Sequence, residues 1–412
     1  MPGRDIDRGR SSLDPEVAER RRKRTTRISV LTPNLSSNAL GRAYVLAKVL
    51  QRRYDVEIIG PVLGDGIWAP LASVDDVEYR SVRPERMPRG CWQLARLRAQ
   101  LDGDVTYASK PLLTSFGIGL LKKVADKTPL ILDIDDWQMG FTKESYRNRS
   151  AASLSRSLIS SAIRLYDSDS FLNVSICEKL SRLADEITVA GTFLKNRFGG
   201  TIVWHGRDTE AFDPGRFDKT AYRERYDVHA DRVVMFLGTL RPHKGVEDLI
   251  EAVRRIKHQD IALVLVGIDY GDRYSRDLVN AAKRLLNKRF LEFGFQPFGR
   301  LPEFLAMADV VVIPQRRNLA TVGQVPAKVF DAMAMAKPIV ATNVSDLPHI
   351  LDGCGWIVDT ESPTQLAEVI QDVLNDIDHA EEMGWKARQK CIDYYSWDAM
   401  ERVLAGIFGR FE

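Results

Sequence analysis

Apolar residues along the chain alternate between short continuous runs and stretches where they recur every three or four positions. That is the pattern of strands followed by amphipathic helices. Order begins at Arg27-Ile-Ser-Val-Leu-Thr-Pro, a β-rich run closed by a polar loop over 34–38. Ala43, Val45, Leu46, Val49 and Leu50 then keep helical spacing, and a second strand, Val56-Glu-Ile-Ile-Gly-Pro, follows. Strand, loop, helix, strand is the opening unit of a doubly wound parallel sheet. Further strands are predicted at 105–108, 130–134, 186–190 and 202–204.

After Pro214 the rhythm restarts. Val233-Val-Met-Phe-Leu-Gly and Ile261-Ala-Leu-Val-Leu-Val-Gly read as strands, with helices over 245–256 and 277–286. A short strand over 291–294, a helix over 301–307 and a strand over 309–314 come next, then a helix over 326–337 and a strand over 338–342. Continuous Val/Ile/Leu runs suit strands covered on both faces. The segment from Thr364 onward is helix-rich. The pattern therefore predicts a basic, solvated tail over 1–26, an α/β domain over 27–205, a second α/β domain over 206–390 and a terminal helix over 391–412.

Composition narrows the classes. The 412 residues are 44 % hydrophobic and 28 % charged, enough to fill two cores, so a disordered or fibrous chain is excluded. No apolar run approaches the ~20 residues that span a bilayer. The chain opens on polar and basic residues, and its four cysteines (Cys91, Cys177, Cys354, Cys391) lie far apart, with neither a CxxC pair nor a disulfide framework. A cytoplasmic, reducing location is expected. The net charge of +3 hides an asymmetry: residues 1–130 hold 23 Lys+Arg against 15 Asp+Glu, a net of +8, which leaves −5 for the remainder.

The loops after the strands decide between nucleotide chemistries. The first, Thr32-Pro-Asn-Leu-Ser-Ser-Asn-Ala-Leu-Gly41, has one glycine and lacks the G-x-G-x-x-G dinucleotide fingerprint; a G-x-x-x-x-G-K-[ST] phosphate loop is absent too. No basic-aromatic RNA motif or recognition-helix module stands out, so nucleic acid is a poor partner. In the second half, Phe236-Leu-Gly-Thr-Leu-Arg-Pro-His-Lys-Gly runs from a strand into a helix, and Arg241 and Lys244 offer a planar fork and a point charge to a diphosphate. In Gln324-Val-Pro-Ala-Lys-Val-Phe-Asp, Pro326 suits a first helical position, Lys328 sits in the first turn, and Asp331 shares its face. Together these groups predict an anion site beside a carboxylate able to hold ribose hydroxyls.

The stretch from about Phe236 to Thr342 resembles the donor domain of retaining glycosyltransferases of the GT-B fold, group 1 (family 4). That class carries a G-R-x-x-x-x-K-G loop and an E-G-F-G-x-x-x-x-E-A-M-A-x-G-x-P stretch. Lys244-Gly245 and Asp331-Ala-Met-Ala-Met-Ala-Lys-Pro338 match them. His205-Gly-Arg-Asp-Thr-Glu-Ala-Phe-Asp-Pro214 is similar to the family's interdomain segment, Ala308-Asp309 with Ile313-Pro314 to its A-D-x-x-x-x-P strand, and Tyr395-Ser-Trp-Asp398 to the turn before its last helix. The resemblance implies two Rossmann-like domains facing a cleft, with the C-terminal helix returning to the first. It implies a nucleotide-diphosphate sugar as donor, a glycan, lipid-linked or small-molecule acceptor, retention of anomeric configuration, and no metal or other cofactor.

By position, the family's loop arginine falls on Thr239, with Arg241 two residues on. Its first glutamate falls on Gly323 and its second on Asp331, while Asn38, after Ser37, takes the place of a Gly-Gly loop near the donor phosphates. Arg241, Lys244, Lys328, Asp331, Gly323, Thr239 and Asn38 are thus the implied donor contacts. In the first half, Leu132-Asp-Ile-Asp-Asp-Trp137 ends a strand in carboxylates, and Asp135 falls where a family histidine contacts the donor sugar. Asp135 or Asp136 is read as lining that site; a helix N-cap is the competing reading. Arg80, Arg83, Arg86 and Arg89 precede a basic segment from Cys91-Trp92 to Arg98, which suits either contact with an anionic lipid surface or a helix packing Trp92 and leucines inward. Leu120-Leu-Lys-Lys-Val-Ala is a weaker instance. A same-fold epimerase or hydrolase, or a non-catalytic nucleotide-sugar or glycan binder, is the alternative.

Overall fold

The computed structural model describes residues 26–84, 96–147, 170–257 and 260–411. The predicted tail, apart from Thr26, and Arg86, Arg89, Cys91 and Trp92 lie outside these residues.

The first domain is built on seven parallel strands: β1 (Arg27–Leu31), β2 (Asp55–Pro61), β3 (Glu78–Val82), β4 (Val105–Ser109), β5 (Leu130–Ile134), β6 (Glu186–Val189) and β7 (Thr201–Ile202). Their order is β3-β2-β1-β4-β5-β6-β7. The second domain repeats the plan with β8 (Arg232–Leu237), β9 (Ile261–Ile268), β10 (Phe290–Gly294), β11 (Val310–Ile313), β12 (Ile339–Thr342) and β13 (Trp356–Val358), ordered β10-β9-β8-β11-β12-β13. Both sheets reverse strand order beside their first strand, at β1/β4 and β8/β11. Crevices open beyond the carboxyl ends of strands at such a reversal, where connections leave to opposite faces.

Strands β4, β5, β11 and β12 are buried at every residue, as expected for sheets covered on both faces. Two strands escaped the sequence pattern. β3, Glu-Tyr-Arg-Ser-Val, is polar because it lies at a sheet edge, and its Arg80 pairs with Glu57, Glu78 and Asp102. β13 has three residues, too few to show a period.

The helix expected over 326–337 is shorter, Lys328–Ala334. Pro326 and Ala327 form the turn before it, and Ala336, at φ 51°, ends it in a left-handed conformation ahead of Pro338. Ile377–Tyr394 stays with the second domain, where Ala387 and Cys391 join the core around Phe330. The chain crosses back at Tyr395-Ser396, whose neighbour is Arg207 in the outgoing crossing. Helix Trp397–Phe408 then inserts Met400, Leu404, Ile407 and Phe408 into the first domain's core beside Ile28, Tyr54 and Tyr107. This last helix ties the two domains covalently and by packing.

Candidate active site

The two crevices face one another across a cleft of about 910 Å³, within the usual range for a small-molecule site. From the first domain come Asn38 after β1, Lys110 after β4, and Asp135 and Asp136 after β5. From the second come Gly238, Thr239, Arg241, His243 and Lys244 after β8, Gln315 after β11, and Gln324, Lys328 and Asp331 before and within the short helix. Both sets sit at carboxyl ends of strands because that is where parallel sheets leave their loops.

The second domain's wall is cationic. Lys244 is half-buried and donates to the carbonyl and hydroxyl oxygens of Thr239, both at 2.7 Å, so Thr239 anchors the lysine. Burial, with Arg241 nearby, pushes its ammonium down to about 8. Lys328 is buried, with its Nζ 3.7 Å from the centroid of the Phe236 ring. Burial first, then Lys244, holds its ammonium well below the ordinary lysine range, and Asp331 only partly offsets them. Gly238 makes room for this: at φ 128°, a Cβ there would come 2.9 Å from Lys328 Nζ. Gly245, at φ 64°, allows the loop to pass against the Pro314 carbonyl, which a Cβ would meet at 2.0 Å. Arg241 is more exposed and pairs with Asp272 at 3.2 Å. No carboxylate forms a salt bridge with Lys244 or Lys328 among the described residues.

Asp331 faces the cleft, yet its Oδ1 accepts from Arg207 Nε in a buried ion pair. Arg207 also donates to the Gly206 carbonyl at 2.9 Å. Asp331 is therefore held by the interdomain segment.

The first domain's wall is organised by Lys110. Its Nζ donates to Asp135 Oδ1 at 2.6 Å and to Asp136 Oδ2 at 2.7 Å. Burial and the adjacent Asp136 hold the Asp135 carboxyl above the usual carboxylate range, against Lys110. Asp136 lies below that range: burial opposes the charge, but Lys110 and the Gln324 amide outweigh it. Beneath them Asp133 takes a bidentate contact from Arg42, at 2.8 and 2.9 Å. His205 and His243 line the same cleft, and burial keeps both imidazoles neutral, His243 at about 4.

Gly323 lies outside the cleft lining. A Cβ there would meet Trp137 at 2.6 Å and Phe193 at 3.0 Å, so aromatic side chains fill the space beside it. Its neighbour Gln324 faces inward and donates to Asp136 Oδ1 at 2.9 Å, across the domain gap. Asp346 of the second domain makes a further crossing, accepting from the Thr192 amide at 2.8 Å. The structure thus brings Asn38, Asp135, Thr239, Arg241, Lys244, Lys328 and Asp331 to one cleft and leaves Gly323 behind it. Lys110, Arg207 and Gln324 were missed as site residues. The signal for Lys110 was available: it follows a strand flanking the reversal point.

Elsewhere, Arg98 pairs with Asp126 and Lys123 with Asp185, so basic residues of the surface read as lipid-facing are engaged in ion pairs. No described helix is long and apolar enough to cross a membrane.

Two facing doubly wound domains with a returning C-terminal helix define the GT-B architecture. Residues 218–390 match the family model of glycosyl transferases group 1, and the second domain is a domain of that family. The whole fold is similar to Anabaena Alr3699/HepE in complex with UDP-glucose (TM-score 0.74, 16 % identity, 93 % of this chain and 100 % of that one). It is also similar to sucrose-phosphate synthase from Thermosynechococcus elongatus (TM-score 0.68, 16 % identity, 93 % and 98 %). Among curated sequences, the GDP-mannose-dependent alpha-(1-6)-phosphatidylinositol monomannoside mannosyltransferase of Mycolicibacterium smegmatis is 30 % identical over 246 residues, 56 % of this chain and 63 % of that protein. The aligned region therefore spans under two thirds of that relative's length.

Proposed function

We propose that the protein transfers a sugar from a nucleotide-diphosphate sugar to an acceptor hydroxyl with retention of anomeric configuration. The observation that carries this reading is the pair of cleft lysines, half-buried Lys244 and buried Lys328, that no carboxylate bridges among the described residues, facing the Asp135–Asp136 carboxylates across the cleft. Buried cations are costly unless something anionic meets them. A diphosphate is the anion this geometry suits, because Arg241 adds a fork beside the two point charges. Donor complexes of the fold, such as the UDP-glucose complex of the Anabaena protein, support the same reading.

In this scheme the bond between the anomeric carbon and the diphosphate oxygen breaks, and its electron pair leaves with the phosphate. Lys244, Lys328 and Arg241 stabilise the developing charge where water is excluded. The acceptor hydroxyl attacks from the face the phosphate leaves, and its proton passes to the departing phosphate oxygen. Asp135 faces the sugar, where a carboxylate accepts hydroxyl hydrogen bonds and offsets positive charge at the anomeric carbon. These protein charges perform the step without a metal or other cofactor. The mannosyltransferase relative, by its name, uses GDP-mannose; a lipid-linked or glycan acceptor is in keeping with it.

A panel of UDP-, GDP- and ADP-sugars screened by thermal shift tests the reading, since a ligand at 100 times its Kd stabilises by about 2.7 kcal/mol. Acceptor-dependent release of nucleoside diphosphate, with the product's anomeric configuration read by NMR, is the expected outcome. Release without any acceptor would instead favour hydrolysis.

A further inference from the structure

Lys110 is built into the first domain in a way that a surface or packing lysine is not. Its backbone is left-handed, φ 68°, at a residue followed by Pro111, a conformation unusual outside glycine. The loop is held from both sides: the Lys110 amide donates to the Asp133 carbonyl at 2.8 Å, and its own carbonyl accepts from Ser115 Oγ at 2.8 Å and from the Leu112 amide at 2.9 Å. The side chain is buried, and the ammonium spends two of its three hydrogens on Asp135 and Asp136. Gln324 takes the other oxygen of Asp136. Asp135 Oδ2, by contrast, accepts no hydrogen bond from the described residues. One carboxylate is thus fully engaged and the other keeps an acceptor for something in the cleft.

The position of the family's first glutamate does not reach the cleft. Gly323, where a glutamate would stand, is enclosed by Trp137 and Phe193. We infer that Lys110 is the positioning residue of the donor-sugar site, holding Asp135 so that its unengaged oxygen accepts hydrogen bonds from hydroxyls of the donor sugar. This rests on the donor reading above. Sugar recognition then comes from the first domain and diphosphate recognition from the second, so the two are separable by experiment. The groups facing the pair are Asp133 and Arg42 from below, and His243, Lys244 and Gln324 from the second domain.

The test uses the full chain and calorimetric titration with UDP, GDP and ADP and with UDP-glucose, UDP-N-acetylglucosamine, GDP-mannose and ADP-glucose. In the wild type, at least one nucleotide sugar binds more tightly than its own diphosphate. Lys110→Met keeps diphosphate affinity within roughly twofold and weakens the nucleotide sugar roughly tenfold or more, the scale of one charge-assisted hydrogen bond. The deficit shrinks as pH rises, because two buried carboxylates without their lysine retain a proton near neutrality and release it at higher pH. Lys110→Arg recovers part of the loss. Asp135→Asn, which leaves the lysine in place, removes the same sugar-dependent increment and covers the case in which Lys110→Met does not fold.

An unchanged increment in Lys110→Met or Asp135→Asn overturns the assignment while leaving the donor reading intact. An equal fall for diphosphate and nucleotide sugar, without the pH effect, shows a merely structural lysine and also overturns it. A wild type that binds no diphosphate or nucleotide sugar overturns the donor reading and this assignment together.

Discussion

The two walls of the cleft share one architecture but differ in how their charges are settled. In the first domain the cleft carboxylates Asp135 and Asp136 share Lys110, and Asp133 beneath them has Arg42. In the second, Asp331 has Arg207, whereas Lys244 and Lys328 have a threonine and an aromatic ring. A wall whose charges are internally matched presents fixed acceptors and donors; one with unmatched, partly or fully buried cations is incomplete until an anion arrives. The same fold thus serves shape and hydrogen bonding on one side and charge neutralisation on the other.

The comparison breaks most sharply at the buried ion pair that holds Asp331. Arg207→Met leaves Asp331 buried without a partner and is expected to cost about 3–5 kcal/mol of stability, read by denaturant unfolding. A double change that also replaces Asp331 with leucine should recover much of it. If Lys244 is unmatched because a diphosphate completes it, Lys244→Ala lowers nucleoside diphosphate affinity by about 1.5–3 kcal/mol with little change in folding stability.

The pH dependence sharpens the same contrast. Lys244 titrates near 8 in the free protein, and an anion favours its charged form. Affinity for a nucleoside diphosphate is therefore full below that pH and falls as pH rises through about 8, by at most about 1.4 kcal/mol per pH unit for one proton. Titrations in buffers of different ionisation enthalpy should register the proton uptake. The smallest effect is at the contact joining the walls. Gln324→Ala removes one hydrogen bond to Asp136 and is expected to weaken nucleotide-sugar binding by about 1 kcal/mol, with diphosphate binding nearly unchanged.

Much of the fold was legible because each strand of a parallel sheet, buried on both faces, must be apolar throughout. Val233 to Leu237 and Val310 to Ile313 announce themselves in any such sheet. β3 did not, since an edge strand tolerates Glu78 and Arg80. In the site, Arg241 and Lys244 were readable because they lie in one loop between a strand and a helix. Gly323 was read as a cleft position from its place in a motif. Whether the adjoining space is cleft or core depends on Trp137 and Phe193, which belong to the other domain.

The return of the last helix was implied by the resemblance of Tyr395-Ser-Trp-Asp398 to a family turn; by itself the amino-acid order determined two doubly wound domains and the loops that carry cations. These follow from local periodicity and from which residues end each strand. Tertiary structure alone decided the partners: Arg207 with Asp331 across 124 residues, and Gln324 with Asp136 across 188. Even Lys110 meets Asp135 only because β4 and β5 lie side by side in register. A charge shows in sequence as a residue type. Whether it is satisfied or waiting for a ligand depends on what lies within about 4 Å of it in space.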